Sequence, residues 1–340
     1  MEQHNIKTSY IPVIDIKGTN SHNWRAVQGF DLTMNIKKII TTAVKGLVSV
    51  LLLIYLFKKV DLREVWQLLQ QVNVTYLFIA LVLYTIGQVM CAYRWKILAR
   101  LMDFHNSLKE FVVYYFAGMF FSLFLPTLIG GDVGKCYYLA RGNKKTLQSV
   151  ISVLADRGTG LIAVILISGF SLYLIDGFKI PEKLFWGVLA ANVILIVLFL
   201  IPFFLSNHLS FLGKTISLSL TYWKSPWSLF KSILISFVFQ LLIIVIHILI
   251  GLSLDLGISW KYYLFLIPLV TAASMLPVSF SGLGIREGAY VYFLSLVNIS
   301  QPKAFTFAFG WFFVVLVSGL LGGLALFTKQ VADKKLEVRS

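Results

Sequence analysis

The apolar residues of this chain come in continuous runs of the length that crosses a bilayer as a helix, about 20 residues. Six such runs are predicted to span: Ile39–Phe57, Tyr76–Tyr93, Val150–Leu174, Leu184–Leu205, Ser232–Leu254 and Phe305–Thr328. A membrane β-barrel would show alternation instead. Composition agrees, with 58% apolar and 13% charged residues in 340, against about 25% charged in soluble domains. The fold class expected is an all-α polytopic membrane protein, with no room for a second large domain.

Two apolar stretches are interrupted in a related way. Pro126-Thr-Leu-Ile-Gly-Gly-Asp-Val-Gly-Lys135 and Pro277-Val-Ser-Phe-Ser-Gly-Leu-Gly-Ile-Arg-Glu-Gly288 each combine a helix-breaking proline, glycines and charges. Aligned on the prolines, Gly131 matches Gly282 and Lys135 matches Arg286. Lipid does not tolerate such backbone unless protein or a water-filled cavity encloses it. Interrupted segments in corresponding positions of two halves point to a binding site near the bilayer midplane. The expected layout is six spans plus two re-entrant broken-helix hairpins, near 111–139 and 262–297, forming an inverted pseudo-repeat.

Charge sets the orientation. The net charge is +15, which fits cytoplasmic loops rich in Lys and Arg facing anionic headgroups. No motif supports nucleic acid as a partner. Residues 1–38 are expected to be a cytoplasmic polar tail, 39–328 the membrane domain and 329–340 a cytoplasmic basic tail. Both termini are placed inside, at the plasma membrane of a prokaryote. Residues 58–73 alternate apolar and charged positions at helical spacing and are expected to lie along the interface, with Trp66 at headgroup depth. Arg94, Trp95, Lys96 and Arg100 read as a basic aromatic rim. Cys91 and Cys136, the two cysteines of the sequence, are taken as reduced structural thiols.

The candidate site follows from the two tips. A helix that starts just after the glycines has backbone N–H groups with no intrahelical partner, and its dipole adds partial positive charge. Phosphate suits such a terminus. Gly130, Gly131, Lys135, Arg157, Ser281, Gly282, Gly284 and Arg286 are therefore the candidate substrate-binding residues. Pro126 and Pro277 are the hinges, and Asp132, Asp156 and Glu287 the ion-pairing or coupling groups. The competing reading is that the glycines allow tight hairpin packing and the charges pair with one another. Charges inside a span face the bundle interior or a cavity, so Asp156 is expected to pair with Lys135 or Arg286, leaving Arg157 for a ligand phosphate. Gln240 and His247 share a helix face and are expected to hydrogen-bond between helices.

No metalloprotease, P-loop, nucleophile-elbow or Cys-x-x-Cys pattern is present. The expectation is a protein that is not an enzyme and needs no metal or cofactor. The runs 124–135, Ala155-Asp-Arg-Gly-Thr-Gly160 and 276–287 resemble, in order, motifs of the lysylphosphatidylglycerol synthase transmembrane family, also called flippase-like proteins. The resemblance covers roughly residues 40–328. It implies a membrane domain that moves, or helps to modify, lipid-linked groups. Some members carry a soluble aminoacyl-transferring domain. This chain ends soon after its last span, so synthase activity is not expected of it. The function expected is translocation of an anionic phospholipid or a polyprenyl-phosphate-linked sugar between leaflets. The alternative is a non-catalytic partner that presents the lipid to a separate glycosyl- or aminoacyl-transferase. The candidate partners are thus the anionic lipid, such a transferase and a second copy of the chain.

Overall fold

The computed structural model describes residues 60–124, 130–141, 145–174, 181–209, 218–274 and 284–337, with isolated helical residues at 47, 51, 54 and 55. The polar tail, the span expected at 39–57 apart from those four residues, Pro126, Pro277, Ser281 and Gly282 lie outside the described residues. All regular structure among them is helical. The helices are α1 (Leu62–Gln71), α2 (Val74–Arg100), α3 (Leu108–Phe124), α4 (Gly130–Ala140), α5 (Thr146–Ser171), α6 (Glu182–Leu209), α7 (Pro226–Ser253), α8 (Trp260–Ser274), α9 (Ile285–Ser295) and α10 (Gln301–Glu337). Four of them, α2, α5, α7 and α10 as far as Phe327, are long and apolar enough to cross a membrane. α10 runs on through residues expected to form the basic tail. The sequence after Thr328 holds no glycine or proline to stop it, and Lys, Gln, Ala and Leu all favour helix.

α1 answers to the interfacial stretch. The Asp61 side chain caps it by accepting from the Arg63 N–H at 2.9 Å. Val65 is buried with Val60 and Phe305, while Trp66 is 64% exposed. A second side-chain cap, Asn73 on the Thr75 N–H at 3.1 Å, starts α2.

The two interrupted stretches fold back on themselves. α3 and α4 run antiparallel: Tyr114 stacks on Tyr138 with ring centroids 5.6 Å apart, and Phe121 faces Gly134. Backbone meets backbone near the tip. A Cβ on Gly131 would collide with the Gly118 carbonyl and Ser122, and one on Gly118 would lie 2.8 Å from the Gly131 carbonyl. For Gly131, then, the geometry supports the packing reading. Gly322 and Gly323 of α10 make the same kind of approach to Phe116 and Phe120 of α3, as small residues do where membrane helices touch. In the second hairpin the Tyr262 hydroxyl of α8 donates to the Phe293 carbonyl of α9.

The order long, short, short, long occurs twice. α2 and α7 start 152 residues apart (226 − 74), as do α3 and α8 (260 − 108); α4 and α9 start 155 apart (285 − 130), as do α5 and α10 (301 − 146). α2 and α7 pack antiparallel, with Gly87 against Phe239 and Leu242 and Arg94 against Ser236. The two ends of the bundle differ in charge. Among the described residues, the end where α2 stops and α5 and α7 start carries Lys96, Arg100, Lys109, Arg141, Lys145, Lys224 and Lys231 against Asp103 and Glu110. The opposite end balances Arg63, Lys183, Lys261 and Lys303 with Asp61, Glu64, Glu182 and Asp255.

Gly131→Val forces a side chain into backbone that has no room to move, so a loss of about 2–3 kcal/mol is expected. Thermal unfolding in detergent should show a midpoint several degrees lower. Gly187→Ala, where a Cβ meets no atom within 4 Å, is the control and should leave the midpoint in place.

Candidate functional site

The first hairpin places a carboxylate where its helix begins. Asp132 is the third residue of α4, so the unpaired N–H groups and the helix dipole favour its negative charge. Lys135 follows one turn later on the same face. Its ammonium lies 3.9 Å from Asp132 Oδ1, and both side chains are 10% exposed. The same ammonium sits 3.6 Å above the centre of the Tyr115 ring and 5.9 Å from that of Trp95. The other oxygen of Asp132 accepts from Arg157 Nε of α5. One acid thus serves two cations.

Asp156 points elsewhere, because neighbouring helix residues diverge by about 100°. It pairs with Arg94 of α2, Nε to Oδ1 at 2.7 Å, and Arg94 Nη1 donates to Ser236 of α7 at 2.8 Å. The expectation that Asp156 pairs with Lys135 or Arg286 is therefore corrected. Arg94, taken as part of the rim, is 4% exposed. Two residues on, Lys96 falls on nearly the opposite side of α2, so the run Arg94-Trp-Lys96 has one inward and one outward cation. The signal that could have found this is Asp156 itself, which demands a cation at its own depth. Trp95 Nε1 donates to Ser152 at 3.1 Å and fixes the wall beside Lys135.

Three cations and two carboxylates thus stand together: Arg94, Lys135 and Arg157 against Asp132 and Asp156. Among the described residues this cluster carries one positive charge in excess. Arg157 is the most exposed of the three cations. Its side chain is 43% exposed, and it sits on the outward stripe of α5 with Val150, Leu154 and Leu161, which are 38%, 61% and 37% exposed. It lies 11 residues along α5, roughly 16 Å at the helical rise.

The second tip is balanced. Gly284 starts α9 with φ +85°, a conformation that suits glycine. Glu287 turns back so that Oε2 accepts the Gly284 N–H at 2.7 Å, and Oε1 takes Arg286 Nη2 at 2.6 Å. Glu287 thereby occupies its own helix terminus and neutralises Arg286, whose guanidinium lies 6.0 Å from the Phe312 ring centre. Counted from the helix starts, the corresponding residues of the two tips are the acids, Asp132 and Glu287 (287 − 132 = 155). The first cluster joins side chains of α2, α3, α4, α5 and α7, and the second those of α9 and α10.

His247 forms the expected interhelical bond. Its Nδ1 lies 2.8 Å from the Ile243 carbonyl, which can only accept, so the proton is on Nδ1 and Nε2 accepts from the Tyr290 hydroxyl at 2.7 Å. Gln240 does not: its amide nitrogen is buried with no hydrogen-bond partner among the described residues.

The sequence matches the family described as the lysylphosphatidylglycerol synthase transmembrane region over residues 42–323. The chain belongs to that family. A relative is UPF0104 membrane protein MJ1078 of Methanocaldococcus jannaschii, 26% identical over 238 residues, which cover 62% of this chain and 93% of the relative. The matched region of the lysylphosphatidylglycerol synthase transmembrane family takes in both hairpins and every charged residue of the two clusters.

Removing one partner of the Arg94–Asp156 pair leaves a buried charge unmatched, at a cost of about 3–5 kcal/mol. Asp156→Asn alone should lower the unfolding midpoint sharply. Arg94→Met combined with Asp156→Leu should recover most of that loss. A double variant no more stable than the single one would show that the pair is not what fixes α2 to α5.

Proposed function

We propose that this protein is a lipid translocase, which moves a lipid with an anionic, phosphate-bearing headgroup between leaflets without changing it covalently. The observation that carries this reading is the grouping of three cations, Arg94, Lys135 and Arg157, beside the first hairpin, with Arg157 on the outward stripe of α5. A phosphodiester or phosphate headgroup brings negative charge to these cations. Arg157 is its first contact and Lys135 its counter-charge within. Aliphatic tails stay in the bilayer throughout. The substrate class is an anionic phospholipid or a polyprenyl-phosphate-linked sugar, and the family's link to lysylphosphatidylglycerol favours the phospholipid.

The membrane layout that supports this has six spans and two re-entrant hairpins. α4 and α9 are 11 residues each, about 16 Å long against about 30 Å of hydrocarbon. The recurring helix order, with α2 antiparallel to α7, supports an inverted repeat with one hairpin entering from each side. The end rich in Lys and Arg faces the cytoplasm by the positive-inside rule, which puts both termini inside, at a prokaryotic plasma membrane. The same basic end suits an acidic partner, so presentation of the lipid to a separate transferase is the second reading.

The test is dithionite quenching of fluorescent phosphatidylglycerol in proteoliposomes. Arg157→Ala is expected to slow translocation about ten- to hundredfold, the worth of one charge-assisted contact, with the unfolding midpoint nearly unchanged. Translocation at the wild-type rate by Arg157→Ala, or none by the wild type alone, would overturn the assignment.

A further inference from the structure

Asp132 is held by its two cations with unequal closeness. Its Oδ2 accepts from Arg157 Nε, while Oδ1 lies 3.9 Å from the Lys135 ammonium. The longer separation is an ion pair without a hydrogen bond, and a shift of about 1 Å would bring it to hydrogen-bond distance. The acid that meets Arg157 thus has a second cation within reach, one turn along its own helix.

The surroundings decide which group moves. Lys135 is seated 3.6 Å above the centre of the Tyr115 ring, and the wall beside it is fixed by the Trp95–Ser152 bond at 3.1 Å. Asp156 is engaged by Arg94 at 2.7 Å, so it does not stand in for Asp132 at either cation. The second tip shows a locked acid at the same place. Glu287 is the third residue of α9, as Asp132 is of α4, and its side chain is one methylene longer. That length lets it reach back to the Gly284 N–H at 2.7 Å while holding Arg286 at 2.6 Å, a capping arrangement that calls for Glu or Gln. Aspartate is too short for it and reaches sideways instead, to cations on α4 and α5.

We infer that Asp132 is a displaceable internal anion: an incoming phosphate headgroup takes its place on Arg157, and the carboxylate moves onto Lys135. The headgroup arrives from the side of Arg157, whose side chain is 43% exposed against 10% for Asp132, and a phosphate grips a guanidinium at two points. Lys135 has three N–H donors, so it holds the carboxylate and still faces the headgroup. When the lipid leaves, Asp132 returns to Arg157. The inference deepens the lipid-translocase reading and rests on it: without the returning acid, the headgroup site would bind tightly and release slowly.

The experiment titrates the full-length protein in detergent with dihexanoyl phosphatidylglycerol, and follows translocation of the fluorescent lipid in proteoliposomes. Asp132→Asn removes the competing charge and should bind the lipid about tenfold tighter, the worth of one charge-assisted contact, while its translocation slows severalfold. A purely structural role has the opposite sign, because Lys135 and Arg157 would lose the group that positions them and binding would weaken. Asp132→Glu keeps the charge and copies the second tip. It should also bind tighter, and it carries the test if Asp132→Asn does not fold. In the Arg157→Ala background Asp132→Asn should leave the affinity unchanged, since the competition runs through Arg157. Unchanged or weaker binding by the folded variants would overturn the inference. A wild type that binds phosphatidylglycerol without moving it would overturn the translocase reading alone, and the affinities would still decide the exchange. Binding by none of the proteins would overturn both.

Discussion

Arg94 and Asp156 meet at 2.7 Å between α2 and α5, with side chains 5% and 3% exposed, in surroundings that solvate neither. Ser236 of α7 accepts a second hydrogen bond from the same guanidinium. Three long helices are thus tied at one depth by a single arginine. Neither charge is stable there without the other. Once this joint is made, the next residue along α5, Arg157, is turned away from the core towards α4. It then finds the first-turn acid Asp132. The candidate headgroup site exists because the structural pair uses up one acid and one base and leaves Asp132 to serve both Lys135 and Arg157.

The hairpins show how backbone geometry and chemistry divide the work. Gly131 and Gly118 let α3 and α4 approach to a distance no side chain permits, which brings the start of α4 against Lys135's aromatic wall of Tyr115 and Trp95. At the other tip Gly284 supplies a positive φ, and Glu287 then closes its own helix terminus. The two tips look alike in sequence, yet among the described residues the first gathers three cations around two acids and the second pairs one arginine with one acid. The proposed function places the headgroup at the first tip.

Much of this was legible from residues alone. Apolar run length located the long helices, and glycine followed by a charge located the starts of α4 and α9. The back-folding at 108–140 and 260–295 lies close to the interrupted stretches expected to form hairpins. Side-chain partners were less legible, because they depend on helix rotation. Arg94 and Lys96 share a basic run, but only Arg94 turns inward. Aligning the tips on proline equates Lys135 with Arg286, whereas the helix starts equate Asp132 with Glu287. His247 found the interhelical partner its apolar setting calls for. Gln240, on the same face, did not, since hydrogen bonding also requires a partner at the right depth on the facing helix.

The central claim is that the cations grouped around Asp132 bind the anionic headgroup of a lipid. Native mass spectrometry of the purified protein with its co-extracted lipids tests this most directly, comparing wild type with the Lys135→Ala, Arg157→Ala double variant. The account predicts one anionic lipid retained per wild-type protein and lost from the double variant, which keeps only Arg94 of the three cations. The same lipids bound to both proteins would contradict it.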